Sequence, residues 1–205
     1  MGELTKTMVA VGAAVLLVAI ASGSAPRRAA PDAFFDVGET FFPEFTDPEV
    51  ATSLEVVEFD EDTAAAAIFQ VSNRNGLWSI PSHHDYPADG KERLANTAAG
   101  LIAVTKDDFR SDNVTDHEAF GVIDPLDEST STLRGRGRRV TFKGSSEEVL
   151  ADLIIGNAVE GRPGLNFVRV PEQNRVYAAS TDIGISTSFN DWIETNLLEV
   201  ERDDV

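Results

Sequence analysis

Ile68-Phe-Gln-Val-Ser-Asn-Arg-Asn-Gly-Leu-Trp-Ser-Ile-Pro81 holds two apolar runs, Ile68 to Ser72 and Leu77 to Ile80, on either side of Asn73, Arg74, Asn75 and Gly76. Asn and Gly tolerate positive φ, so the stretch reads as an antiparallel hairpin. Trp78 is then a core anchor, and Pro81, which has no backbone donor, ends the second strand. Shortly afterwards the period changes. From Asp89 to Val104, apolar Leu94, Ala98, Leu101 and Ile102 recur at helical spacing while Lys91, Glu92 and Arg93 load the opposite side. That predicts an amphipathic helix covering a sheet. A hairpin followed by a covering helix points to an α+β domain.

Working outward, Leu54 to Phe59 is β-branched and partly alternating, which suits a strand. Asp47 before Pro48 supplies an N-cap and a first-turn proline, predicting a short helix to about Thr52. Thr115 to Glu118 matches a capping box and predicts a helical turn before Phe120 and Gly121. Strand candidates follow at Arg139 to Lys143, Val149 to Ile155, Asn166 to Val170 and Arg175 to Ala179. The second of these fits both periods, and its short run ending at Gly156 favours a strand. A final amphipathic helix is expected over Ser188 to Leu198, with Trp192, Ile193 and Leu197 toward the core. The expected fold is α+β, a mostly antiparallel sheet of about six to seven strands covered by two main helices.

Met8 to Ala25 carries no charge, and its 18 residues are at the lower edge of what a helix needs to cross about 30 Å of hydrocarbon. It reads as a transmembrane helix, a retained single-pass anchor, with a cleaved signal segment as the alternative; Pro26 would sit poorly after a cut at Ala25. Lys6 on one side and Arg27 and Arg28 on the other leave direction undecided by charge, and the export-like segment predicts an extracytoplasmic globular part. The organisation is thus an N-terminal tail over 1–7, the apolar segment over 8–25, and a linker with an aromatic stretch over 26–46. A globular domain over 47–199 and an acidic tail over 200–205 complete it. Phe34, Phe35, Phe41, Phe42 and Phe45 are expected to pack on the domain, because the interspersed Asp36, Glu39 and Glu44 would be repelled by anionic headgroups.

The chain of 205 residues has 35 acidic against 17 basic side chains, a formal net charge of -18. Such a surface repels phosphate backbones, so nucleic acid is a poor partner. Zero cysteines remove disulfides, thiolate zinc sites and thiol nucleophiles together.

Candidate chemistry is sparse. His83, His84 and Asp85 form the most site-like cluster, since imidazoles and a carboxylate can bind zinc or share a proton. Adjacent histidines on an extended segment point apart, which favours a solvated loop. Asp107, Asp108, Asp112, Asn113 and Asp116 lack the spacing and terminal Glu of a calcium loop and read as an acidic surface loop. Arg134, Arg136 and Arg138, separated by Gly135 and Gly137 and followed by Arg139, have no interleaved aromatics. They read as a turn into the next strand and a candidate docking site for an acidic partner surface. No serine lies in a Gly-x-Ser-x-Gly elbow and no Gly-Lys-Ser/Thr loop exists, so no catalytic residue, metal ligand or cofactor is assigned.

Gly76-Leu-Trp-Ser-Ile-Pro81, Tyr86-Pro-Ala-Asp89 opening a helix, and Phe120-Gly-Val-Ile-Asp-Pro125 occur in that order. They are followed by Ile154-Ile-Gly156, Asn166-Phe-Val-Arg169, Arg175-Val-Tyr177 and Asp191-Trp192 leading into Asn196-Leu-Leu198. In this series the chain resembles the bacterial family called domain of unknown function forty-three forty. The shared residues are turn formers, caps and core aromatics, so the resemblance brings no catalytic residues with it. It implies a membrane-associated protein linked with transporters of the ATP-binding cassette type and with gliding-motility-type auxiliary proteins.

The expected function is therefore a membrane-anchored, noncatalytic interaction module with protein partners in a membrane complex. An envelope hydrolase using His83, Asp85 or His117, or a ligand-binding module, is the alternative.

Overall fold

A computed structural model describes Gly2 and residues 35–193. By its contacts the chain divides into two compact units, Met1–Phe35 and Asp36–Val205, and the sheet and both helices belong to the second. The apolar segment 8–25 and the acidic tail 200–205 lie outside the described residues. Among the described residues no helix is long and apolar enough to cross a membrane.

Among the described residues nine strands form one sheet: β1 (Ser53–Asp60), β2 (Ala65–Arg74), β3 (Leu77–Ile80), β4 (Tyr86–Pro87), β5 (Asp108–Ser111), β6 (Arg138–Lys143), β7 (Val149–Ala158), β8 (Leu165–Arg169) and β9 (Val176–Ser180). Their spatial order is β4-β3-β2-β1-β6-β7-β8-β9-β5, and every pairing is antiparallel. The β2–β3 hairpin closes as the sequence predicts. Arg74 faces Leu77, and the two residues between them, Asn75 at φ 56° and Gly76 at φ 85°, supply the positive φ that a tight two-residue turn demands.

Side chains alternate along each strand, so the sheet has two faces of different character. On the first, Phe69, Val56, Val140 and Leu153 lie in one row across β2, β1, β6 and β7, with Val71, Leu54, Phe142 and Ala151 in the next. All eight are buried in the main core. Helix α1 (Lys91–Ile102) supplies Leu94, Ala98 and Leu101 to that core, as its periodicity predicts. Phe41, Phe45 and fully buried Trp192 join it, while Trp78 is only half-buried against its margin.

On the second face a row running through β1, β6, β7, β8 and β9 reads Val57, Arg139, Ile154, Arg169, Val176. Two arginines stand among apolar residues in the middle of a sheet. Ile154 and Val176 pack with Val122 and the tilted ring pair of Phe120 and Phe167 in a small second core.

Several expectations are corrected. The sheet has nine strands, not six to seven, because two were missed. Tyr86–Pro87 is a two-residue strand, not a helix opening, and the supposed acidic loop contains strand Asp108–Ser111. There is one main helix among the described residues. The second, α2 (His117–Phe120), is a single turn preceded by a 3-10 turn whose cap is Asn113, which accepts from the Thr115 N–H. Asp47-Pro48 starts a 3-10 turn, Pro48–Val50, and not an α-helix, although Asp47 caps it as expected. The described part of the final helix is a 3-10 turn, Phe189–Asp191, after which Ile193 bridges to Ala88; Leu197 lies outside the described residues.

Candidate functional site

Arg134, Arg136 and Arg138 alternate with glycines because at Gly135 and Gly137 the chain presses so closely on its neighbours that a Cβ has no room. Arg136 bridges in parallel to Ile123, whose N–H donates to Gly135 and whose carbonyl accepts from Gly137. A Cβ on Gly137 would lie 2.6 Å from Ile154 Cγ2 and 2.7 Å from the Gly121 oxygen. Gly135, at φ +71°, lies equally tight against the Glu118 backbone.

The arginines between them have separate fates. Arg136 donates from Nη1 to the carbonyls of Asp124 and Pro125, from Nη2 to those of Asp127 and Thr130, and from Nε to that of Thr132. Its guanidinium carbon also lies 4.6 Å from the centre of the Phe59 ring. A fork of five donors on five carbonyls fixes the path of the 124–132 loop. Arg138 pairs through Nε with Glu58 at 2.5 Å. Arg134 has an exposed side chain.

Behind this loop lies a polar network that the sequence reading did not assemble. Arg139 meets Asp152 with two bonds of 3.0 and 2.6 Å, and reaches Asp124 at 2.8 Å. The Thr141 hydroxyl donates to the same Asp152 at 3.1 Å. The hydrogen bonds to Asp152 hold the Arg139 pKa above its ordinary value against the opposing effect of burial, with Asp124 adding to the attraction. Arg169, buried, donates to the carbonyls of Val122 and Gln173, and burial pushes its pKa down.

A cleft of about 290 Å³ beside Arg169 is lined also by His117, Asp124, Asp127 and Thr130. His117 is buried, and its Nε2 lies 2.9 Å from the Asn174 carbonyl. A carbonyl only accepts, so Nε2 carries the proton, and burial pushes this imidazole below its ordinary pKa. His117 therefore acts as a neutral strut between α2 and the turn before β9.

His83 is stacked on Phe189, ring centres 4.9 Å apart, with its edge toward Phe69, and its Nδ1 lies 3.1 Å from the Ser82 hydroxyl. His84 and Asp85 are exposed and adopt φ 61° and 54°, the special turn that adjacent left-handed residues make. The turn sends the chain back into β4 and gives His83 a packing role. Among the described residues no three His, Asp or Glu side chains gather as a metal-holding group.

The aspartates of 107–116 serve local structure. Asp108 pairs with Arg110 at 3.2 Å and Arg162 at 2.8 Å, Asp107 accepts from the Ser180 N–H, and Asp116 accepts from the Ser111 hydroxyl. Buried Asp36 accepts from the Tyr177 hydroxyl at 2.5 Å and from Lys106 at 3.2 Å, with Arg175 at 3.9 Å. Burial alone would raise the Asp36 pKa, but the Tyr177 hydrogen bond and the two cations outweigh it and hold the carboxyl below its usual range. Burial and the same bond push the Tyr177 hydroxyl well up. The cluster clamps the start of the unit to β9.

The family described as Domain of unknown function (DUF4340) has a model that matches residues 78–205. The chain belongs to this family. The DUF4340 match opens at Trp78 on β3 and takes in α1, α2 and β4 to β9, so it contains the whole polar network while β1 and β2 precede it. No curated protein and no solved structure matches the chain.

Proposed function

We propose that this DUF4340 member is a membrane-anchored, noncatalytic interaction module, an auxiliary component of an envelope complex or one built around a transporter of the ATP-binding cassette type. Insertion of the apolar segment 8–25 raises its local concentration beside a partner in the same membrane. The observation that carries the reading is the commitment of its cations to partners within the chain. Arg136 and Arg169 are held by backbone carbonyls, and Arg138, Arg139, Arg162 and Lys106 by the chain's own carboxylates. The acid surplus of a chain with net charge -18 is thus left facing outward. Association with a basic partner surface follows, steered by charge and weakened by salt.

The test is crosslinking of the full chain in intact cells, followed by solubilisation in mild detergent at low and high salt. Partners with basic surfaces that fall away as salt rises are the expected recovery. Recovery of this chain alone at every salt concentration would remove the proposal. Protease added to spheroplasts should digest the globular part, as an extracytoplasmic placement requires.

A further inference from the structure

Strand β2 is ten residues long, whereas its neighbour β3 is four and pairs only with Ser72 to Arg74. Beyond β3, the chain turns away at Pro81–His83, and the Ser82 hydroxyl takes the next slot on the edge of β2. It accepts from the Gln70 N–H at 3.1 Å and donates to the Gln70 carbonyl at 3.5 Å. Gln70 therefore turns its backbone groups outward, away from β1. Backbone direction alternates along a strand, so Ile68 and Ala66 turn theirs outward too. No described strand or loop pairs with that edge.

The result is a ledge, Ala65 to Ile68, in which all four residues are exposed and Ile68 is 50% so. Edges of this kind are ordinarily blunted by a charge, a proline or a bulge. Here Ala65, Ala66, Ala67 and Ile68 carry no charge and no proline, and the pairing with β1 runs through them without a bulge. Small side chains let another backbone approach closely. Two outward N–H and two outward C=O groups wait in register.

The ledge is also marked electrically. At its far end the β1–β2 turn carries Asp60, Glu61 and Asp62, with Asp60 Oδ1 accepting from the Asp62 and Thr63 N–H groups. A strand laid on the ledge in the direction of β3 would end beside these three carboxylates. A second copy of this chain is disfavoured, since it would bring the same acidic turn and another net charge of -18.

We infer that the β2 ledge takes an extended segment of a partner polypeptide as an added strand, with small or β-branched residues over the ledge and Lys or Arg at its C-terminal end. The main-chain bonds supply affinity and the basic end sets direction. The inference rests on the interaction-module reading and deepens it.

The probe is a series of C-terminally amidated nine-residue peptides. Six alternating Val, Thr, Ile and Ala residues are followed by three Lys, with partners that carry the Lys at the N-terminus and partners N-methylated at alternate residues. Bound to the full chain, the C-terminal-Lys peptides should slow amide exchange at Ala66 and Ile68 at least tenfold. N-methylation of one alternate set should weaken binding at least tenfold and of the other set little, and moving the Lys residues should weaken it severalfold. Ile68→Lys, a change at an exposed position, should lose the peptide while retaining the melting temperature. No saturable binding by any member, or binding without protection of Ala66 and Ile68, would overturn the inference. So would self-association that protects the same amides without peptide. In intact-cell crosslinking, partners recovered equally by wild type and Ile68→Lys would sink the ledge and leave the module reading standing. Wild type recovered alone would sink the module reading and leave the ledge to be decided by the peptides.

Discussion

The two faces of the sheet solve the same problem in opposite ways. The first is closed by apolar side chains from α1, the Phe41 to Phe45 stretch and Trp192, so burial alone holds the layer down. The second is closed by a loop whose backbone is pinned by Arg136 and whose Asp124 reaches down to Arg139. Only Val122, Ile154 and Val176 are fully buried in the small core there. The difference teaches that a layer can be anchored by directional bonds to an irregular chain where no amphipathic helix is available. Such a layer depends on a few residues, and the first face on many.

The largest effect should come from breaking the first face. Phe142→Ala, at a fully buried position beside Phe45, should cost about 3–5 kcal/mol of unfolding free energy. Urea denaturation reads this directly, and a loss below about 1 kcal/mol would contradict a core dominated by this face.

Next comes the pin of the second face. Arg136→Ala leaves five carbonyls without their guanidinium donors, though partial exposure lets water replace some of the bonds. The expected cost is about 1.5–3 kcal/mol, with faster amide exchange confined to the 124–132 loop. Exchange that rises equally over both faces would mean that the loop is not a separate layer.

The asymmetry also decided what the sequence could tell. The first face writes itself as alternation, which is why β1, the β2–β3 hairpin, β6, β7, β8 and β9 were legible, and α1 with them. Val149 to Ile155 looked ambiguous because Asp152 and Ile154 face a half-polar layer while Ala151, Leu153 and Ile155 face the main core. Nothing in the sequence marked Arg139 and Arg169 as members of a polar network, since a strand facing such a network alternates like one facing water. Strand β5 was hidden by the acidic residues around Phe109, whose carboxylates bind locally to Arg110, Arg162 and backbone N–H groups. The glycines at 135 and 137 were the available signal for the loop's close approach, but only coordinates say what lies within 3.0 Å of them. The β2 ledge was illegible because the apolar run was read from Ile68, whereas β2 begins at Ala65 and its three alanines carry no strand preference of their own.

A smaller effect sharpens the comparison through pH. His117 belongs to the second face, and burial first, then nearby Arg169, pushes its pKa below the ordinary 6.5, while the Asn174 carbonyl and Asp116 oppose the shift. As pH falls through about 6.5 the unfolded chain takes up a proton that the folded chain refuses. Stability contributed here is therefore complete above that pH and is lost below it. His117→Gln keeps a donor for Asn174 but cannot titrate, so unfolding free energies measured from about pH 8 to about pH 5.5 should fall less steeply than in wild type. Parallel curves would show that the imidazole is not held neutral.

The smallest effect isolates position from residue type. Arg134 stands two residues from Arg136 in the same alternating run, yet its side chain is exposed whereas Arg136 grips the loop. Arg134→Ala should change unfolding free energy by no more than about 0.5 kcal/mol and leave exchange of the 124–132 loop as in wild type. It should still alter recovery of any partner that the arginine turn helps to recognise, because an exposed cation acts on association and hardly on folding. A loss of stability matching that of Arg136→Ala would mean that the run works as one cationic unit, whatever each guanidinium touches.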